Sequence, residues 1–179
     1  VYLVGAGPGD LGLLTLRGAE LLARADVVVY SKLVSPEVVR LAPKAAELIE
    51  AGKDSPEAAT SANAVSELLI ARSRAGKTVV RLIGGDPYFF GSGGEEAEQL
   101  ADARVPFEVV PGVSALVAAP SFAGIPLTHR EFASQLTLVT GQQDPDQPNS
   151  GVDWAQVAKT PGTKVVTLDP DRIGQIAQL

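Results

Sequence analysis

Asp86 sits inside an unusual run, Arg81 to Glu96, reading RLIGGDPYFFGSGGEE. The apolar segment Thr78 to Ile83, interrupted only by Arg81, enters a loop holding Gly84, Gly85, Asp86 and Pro87. Gly91, Gly93 and Gly94 then lead into an acidic segment. Glycine loses more backbone freedom on folding than any other residue, so a loop this rich in it implies close backbone approach or positive φ. Ser92 and Glu95 fit the S-x-x-E capping box, which places a helix start there. A strand, a glycine loop and a helix N-terminus in succession read as a small-molecule site at the carboxyl end of a strand. The plainer alternative is a sharp turn with no ligand.

A second glycine loop, Gly5-Ala6-Gly7-Pro8-Gly9-Asp10, follows the first apolar run. It departs from the dinucleotide fingerprint, because Asp10 stands where the third glycine belongs and Pro8 lacks an N–H for a pyrophosphate. No Gly-Lys-Ser/Thr closes it, so it is not a P-loop.

These loops need elements to hold them. Short β-branched or apolar runs at Val1–Val4, Asp26–Tyr30, Ala46–Glu50, Lys77–Ile83, Phe107–Val110, Gln135–Thr140 and Thr163–Leu168 read as strands. Helical spacing or caps mark Leu14–Arg24, Val38–Leu41, Asn63–Arg74 with Gly76 as its stop, Glu95–Ala103, Ser114–Ala123 and Asp153–Lys159, with a last helix opened by Asp169-Pro170. The alanines at 115, 118, 119 and 123 suggest close packing or close approach of a ligand. Strands alternating with helices predict βαβ units on a mostly parallel sheet, an α/β fold. The stretch Leu127 to Gln135 breaks the rhythm. The expected organisation is an N-terminal α/β domain over 1–130 and a second α/β domain over 131–179.

Composition narrows the function. The 179 residues are 45% hydrophobic and 20% charged, ordinary for a globular protein. No apolar run approaches the ~18 residues of a membrane span, and no secretory leader pattern is visible, so neither a membrane nor secretion is expected. The net charge of −6 argues against a nucleic-acid binder. Cysteine is absent and His129 is the single histidine, which excludes disulfides, cysteine-ligated metals and a multi-histidine centre within one chain. This suits a cytoplasmic protein. Methionine is also absent, Val1 already lies in a strand-like run and Gly174 to Leu179 stops within a helical pattern. Part of a longer protein, with an incomplete second domain, is therefore expected.

VGAGPGD, RLIGGDPYFFGSGGEE, VVPGVSALVAAP and AGIPLTHREFAS, in this order and spacing, resemble the tetrapyrrole methylases. Within that family they are most similar to the members that methylate uroporphyrinogen III. The resemblance implies an S-adenosylmethionine-dependent C-methyltransferase of sirohaem and cobalamin biosynthesis that leaves S-adenosylhomocysteine and uses no metal. It also implies a homodimer with the cofactor in a cleft between two domains. The family's cofactor contacts fall on Pro8, Gly84, Gly85, Asp86, Phe89, Ser114, Ala115 and Leu168. Its candidate proton donor is retained as Lys53, in Gly52-Lys53.

The chain departs from the family at several points. Ser31 stands where an aspartate is the candidate proton acceptor, and a hydroxyl cannot replace a carboxylate as a base at neutral pH. Ile83 stands where lysine is usual, Ser92 where arginine is usual, and a histidine expected after Lys53 is missing. Lys32, Lys53, His129 and Arg130 remain to meet the carboxylates of such a substrate. Arg130 suits a carboxylate fork. His129 fits a structural hydrogen bond at the domain junction equally well. The implied reaction is conversion of uroporphyrinogen III to precorrin-2. A diverged member acting on another precorrin, and a cofactor- or tetrapyrrole-binding protein with little catalysis, are the alternatives.

Overall fold

The computed structural model describes residues 1–51, 62–140 and 151–178. The chain forms two compact units, Val1–Ala115 and Leu116–Leu179. In the first, strands β1 (Tyr2–Gly5), β2 (Val27–Ser31), β3 (Glu47–Ala51), β4 (Val79–Ile83) and β5 (Glu108–Val110) lie in the order β3-β2-β4-β1-β5. Every neighbouring pair is parallel.

Strand side chains alternate between two cores. On one face Val4, Val28, Val80 and Leu82 pack with Leu21 and Leu22 of α1 (Leu16–Leu22) and with Val38 and Val39 of α2 (Pro36–Val39). On the other face Leu3, Val27, Val29 and Val79 pack with Val65 and Leu69 of α3 (Ala62–Arg74) and with Ala97 and Leu100 of α4 (Gly93–Asp102). Near-continuous Val and Leu runs are what a parallel sheet covered on both faces requires. The cores also fix where the connections go. β1 leads to α1 on one face and β4 leads to α4 on the other, and the two strands are neighbours. Their exits part to opposite sides, which makes the gap at their carboxyl ends a topological switch point.

Local chemistry sets the element ends. Asp10 Oδ1 accepts from the Gly12 amide at 2.7 Å and caps a 3₁₀ turn over Leu11–Leu13. Thr15 then caps α1, so that helix starts later than its apolar spacing suggests. Ser35 and Pro36 open α2 as their types require. The expected Ser92–Glu95 capping box does not form. Ser92 occupies the cap position, but its hydroxyl donates to Glu96 Oε1 at 2.8 Å instead of accepting a backbone amide. Exposed Arg17 and Arg72 fork Glu108 and Glu47 and hold both carboxyls below the usual range by hydrogen bonding. Such pairs add a little stability above the ordinary carboxylate range and lose it as pH falls through the lowered values.

α5 (Ala115–Phe122) begins at the last residue of the first unit and carries Pro120 inside it. Of the alanines at 115, 118, 119 and 123 only Ala118 is buried, so close packing, the first of the two alternatives expected there, does not account for them. The second unit holds a parallel pair, β6 (Leu136–Thr140) and β7 (Thr163–Thr167). Between them lies α6 (Trp154–Lys159), capped by Asp153, which accepts from the Gln156 amide at 2.9 Å. A 3₁₀ turn capped by Asp169 precedes α7 (Ile173–Ile176). The rhythm-breaking stretch Leu127 to Gln135 lies within this unit, where His129 and Ala133 exchange backbone hydrogen bonds. The division between units thus falls at Ala115, ahead of the expected boundary at 130. Among the described residues no helix is long and apolar enough to cross a membrane.

Leu100 is fully buried in the α3–α4 core. Leu100→Ala is expected to lower stability by about 2–5 kcal/mol in urea denaturation. An unchanged midpoint would show that α4 is not held by this core.

Candidate functional site

Three loops meet at the carboxyl ends of β1, β4 and β5, and they meet backbone to backbone. The Gly7 amide donates to Gly85 O at 3.1 Å and the Gly85 amide donates to Gly7 O at 2.8 Å. Both glycines take positive φ, 74° and 67°, which a side chain at either position would oppose. Beneath them Gly5 and Gly112 touch so closely that a Cβ on Gly5 would stand 2.5 Å from the Gly112 nitrogen. Asp86 completes the knot. Its Oδ2 accepts from the Gly112 amide and its Oδ1 from the Tyr88 amide, each at 2.9 Å.

Much of the glycine content therefore serves the loops themselves. A Cβ on Gly91 or Gly93 would stand 2.8 or 2.5 Å from Pro87 O, so both let the loop fold over Pro87. Gly84 and Gly85 differ. A Cβ on Gly84 would meet only Leu33 Cβ, and one on Gly85 only Ser114 Cα, each at 3.8 Å. Here the backbone is half-buried and open above. That is a cradle which side chains would fill. Pro8 is half-buried beside Gly7, and Ser114 and Ala115 stand at the start of α5. Phe89 is exposed and pairs with Phe90 at 5.0 Å between ring centroids. Phe90, which sequence reasoning missed, holds φ at 55°, an unusual value for an aromatic residue.

Below the loop lies a buried ion pair that sequence reasoning also missed. Arg81 and Glu96 are 4% and 1% exposed. Arg81 Nε donates to both Glu96 oxygens at 3.1 Å, and Nη2 donates to Oε1 at 3.0 Å. Nη1 donates to Ser31 Oγ at 3.1 Å and to Leu82 O at 3.2 Å. The Ser92 hydroxyl closes the network onto Glu96. The signal was a lone cation in a wholly buried strand, which demands a buried partner.

The network recasts the departures from the family pattern. Ser31 and Ser92 are bound to one pair of charges. Ile83 is 4% exposed, and its Cγ2 lies 3.4 Å from where a Gly91 Cβ would stand. Ile83 and Ser92 thus serve the underside of the loop.

The remaining expected residues are spread through both units. Lys32 is exposed and lines a hollow of about 250 Å³ with Tyr30, Val34, Pro36, Val39, Arg40 and Glu50. His129 and Arg130 are exposed in the second unit. His129 Nδ1 accepts from the Glu131 amide at 3.2 Å and its ring packs on Phe132, so it makes a structural hydrogen bond within its own turn. Leu168 follows β7 and lines a hollow of about 370 Å³ with Asp169, Pro170 and Arg172. Lys53 lies outside the described residues.

A parallel sheet wound to both sides, with glycine loops at its switch point, defines an α/β small-molecule-binding protein. The comparisons make this specific. The family model described as Tetrapyrrole (Corrin/Porphyrin) Methylases matches residues 1–179, and the chain belongs to that family. It is 45% identical to the S-adenosyl-L-methionine-dependent uroporphyrinogen III methyltransferase of Methanosarcina barkeri, over 99% of this chain and 70% of that one. It is 47% identical to siroheme synthase 2 of Yersinia enterocolitica, over 99% of this chain and 37% of that one. Uroporphyrin-III C-methyltransferase from Thermus thermophilus, solved with S-adenyl homocysteine, matches with a TM-score of 0.66 and 46% identity, over 80% of this chain and 56% of that one. The chain therefore spans less than two thirds of the length of the latter two proteins.

Glu96→Ala leaves Arg81 buried and unpaired, and is expected to cost about 3–5 kcal/mol. Replacing both charges by apolar residues of similar volume should recover most of that loss in the same denaturation series. If the double variant is no more stable than Glu96→Ala, the pair is not the source of the cost.

Proposed function

We propose that this chain forms the core of an S-adenosylmethionine-dependent C-methyltransferase that converts uroporphyrinogen III to precorrin-2, on the route to sirohaem and cobalamin. Family membership and the names of the similar proteins support this reading. The observation that carries it is the open backbone at Gly84 and Gly85, set among the close backbone contacts of Gly5, Gly91, Gly93 and Gly112.

The residues present fit the cofactor. When bound, it supplies a methyl group already activated on a sulfonium, so the hard chemistry is its own. Gly84 and Gly85 let backbone come close to it. Amides at the start of α5, around Ser114 and Ala115, suit a carboxylate or an adenine edge. Pro8, Phe89 and Leu168 supply apolar surface. Asp86 acts through the loops, because its two oxygens hold the β4 and β5 exits together. The chain must otherwise orient the reacting carbon and exclude water.

Within the same proposal, Lys53 donates a proton, and Lys32, His129 and Arg130 meet substrate carboxylates. Ser31 does not act as a base. A homodimer in the cytoplasm is part of the reading. The exposed Phe122, Ile125 and Phe132 offer apolar surface that a second copy would cover.

Two measurements on the full-length protein test this. Calorimetry with S-adenosylhomocysteine should show binding, and Asp86→Ala should weaken it by about tenfold or more, as expected for lost bonds to a charged group. Incubation with uroporphyrinogen III and S-adenosylmethionine should add methyl mass to the tetrapyrrole. Unchanged affinity in Asp86→Ala would sink the cofactor placement, and no methylation would sink the substrate.

A further inference from the structure

Ser31 ends β2 one residue past the Tyr30–Leu82 pairing, level with Ile83 at the entry to the glycine loop. It is half-buried. Its Oγ accepts from Arg81 Nη1, whose other bond goes to Leu82 O. Arg81 in turn cannot swing, because Nε and Nη2 are held by Glu96 and Glu96 is held by Ser92. A hydroxyl that accepts from a guanidinium must point its own hydrogen elsewhere. The nearby cation also polarises that O–H and makes it a better donor. Among the described residues no acceptor takes the Ser31 proton.

We propose that the buried Arg81–Glu96 pair, braced by Ser92, sets the Ser31 hydroxyl as a hydrogen-bond donor at the carboxyl edge of β2, where it meets an anionic carboxylate oxygen of the tetrapyrrole. This rests on the substrate class proposed above. Arg81, Glu96 and Ser92 are positioning residues, and Ser31 alone touches the ligand. Ser31 binds the substrate through an acid group and takes no proton from it. A carboxylate at position 31 would accept from Arg81 equally well, but would repel the ligand carboxylate.

Uroporphyrin III, the stable aromatic polycarboxylate, is a direct probe. Its fluorescence should be titrated with full-length wild type, Ser31→Ala, Ser31→Thr, Ser31→Asp and Ser92→Ala, with S-adenosylhomocysteine calorimetry run on each. Ser31→Ala should weaken uroporphyrin III by about tenfold, as for a lost bond to a charged acceptor. Ser31→Thr should stay close to wild type. Ser31→Asp should be weaker than Ser31→Ala, with the gap closing at high salt. Ser92→Ala should weaken binding in wild type but add nothing in the Ser31→Ala background, because both changes act through one hydroxyl. S-adenosylhomocysteine affinity should not change with any substitution at position 31. Equal or tighter binding by Ser31→Asp, or no loss in Ser31→Ala, overturns the proposal. Additive losses in the double variant overturn the positioning role. If wild type binds S-adenosylhomocysteine but not uroporphyrin III, the inference fails with the substrate reading while the cofactor reading stands. If it methylates uroporphyrinogen III yet Ser31→Ala binds normally, the inference fails alone.

Discussion

The structure depends on two hydrogen bonds between Gly7 and Gly85, made where neighbouring strands send their chains to opposite faces of the sheet. A switch point alone is only a gap. Here the gap is given a floor, because the β1 and β4 loops are stitched to each other and Gly112 of the β5 exit is pressed against Gly5. No side chain takes part in these contacts. They are possible because four glycines stand where any Cβ would collide or would have to adopt positive φ. The Asp86 side chain spans the knot by accepting backbone amides on both oxygens.

A second constraint lies beneath the loop. Burying Arg81 in the sheet is tolerable only because Glu96 arrives on α4 and forks it, with Ser31 and Ser92 satisfying the remaining groups. The pair ties the end of β2, the middle of β4 and the first turn of α4 to one point. The rigid glycine floor and the polar support beneath it are therefore one assembly. Positions that looked like losses of charge, Ile83 and Ser92, turn out to serve this underside.

Much was legible in the residues. The valine runs at 27–29 and 79–80, with helices between, required a parallel sheet covered on both faces, and that sheet is present. The glycine loop was read as needing close backbone approach or positive φ, and it shows both, with Gly85 at φ 67° and a Cβ on Gly93 only 2.5 Å from Pro87 O. The capping box at Ser92 failed because its side chain is turned to donate to the buried carboxylate of Glu96, one residue beyond Glu95, and accepts no backbone amide. Phe90 gave no signal, since nothing in its neighbours announces a positive φ. Asp86 was read as facing a ligand, and its bond to Gly112 could not be seen because the two are 26 residues apart.

By itself the sequence determined the fold class, the strand–loop–helix units, the caps at Ser35, Asp153 and Asp169, and the family, since each is written in local spacing and in residue types that tolerate few conformations. Only the tertiary structure decided which glycines close on the chain and which stay open, and that Arg81 would be answered by Glu96 and would hold Ser31. Those outcomes depend on strands that are distant in sequence lying side by side. Local propensity carries no record of which distant backbone will come within hydrogen-bonding reach.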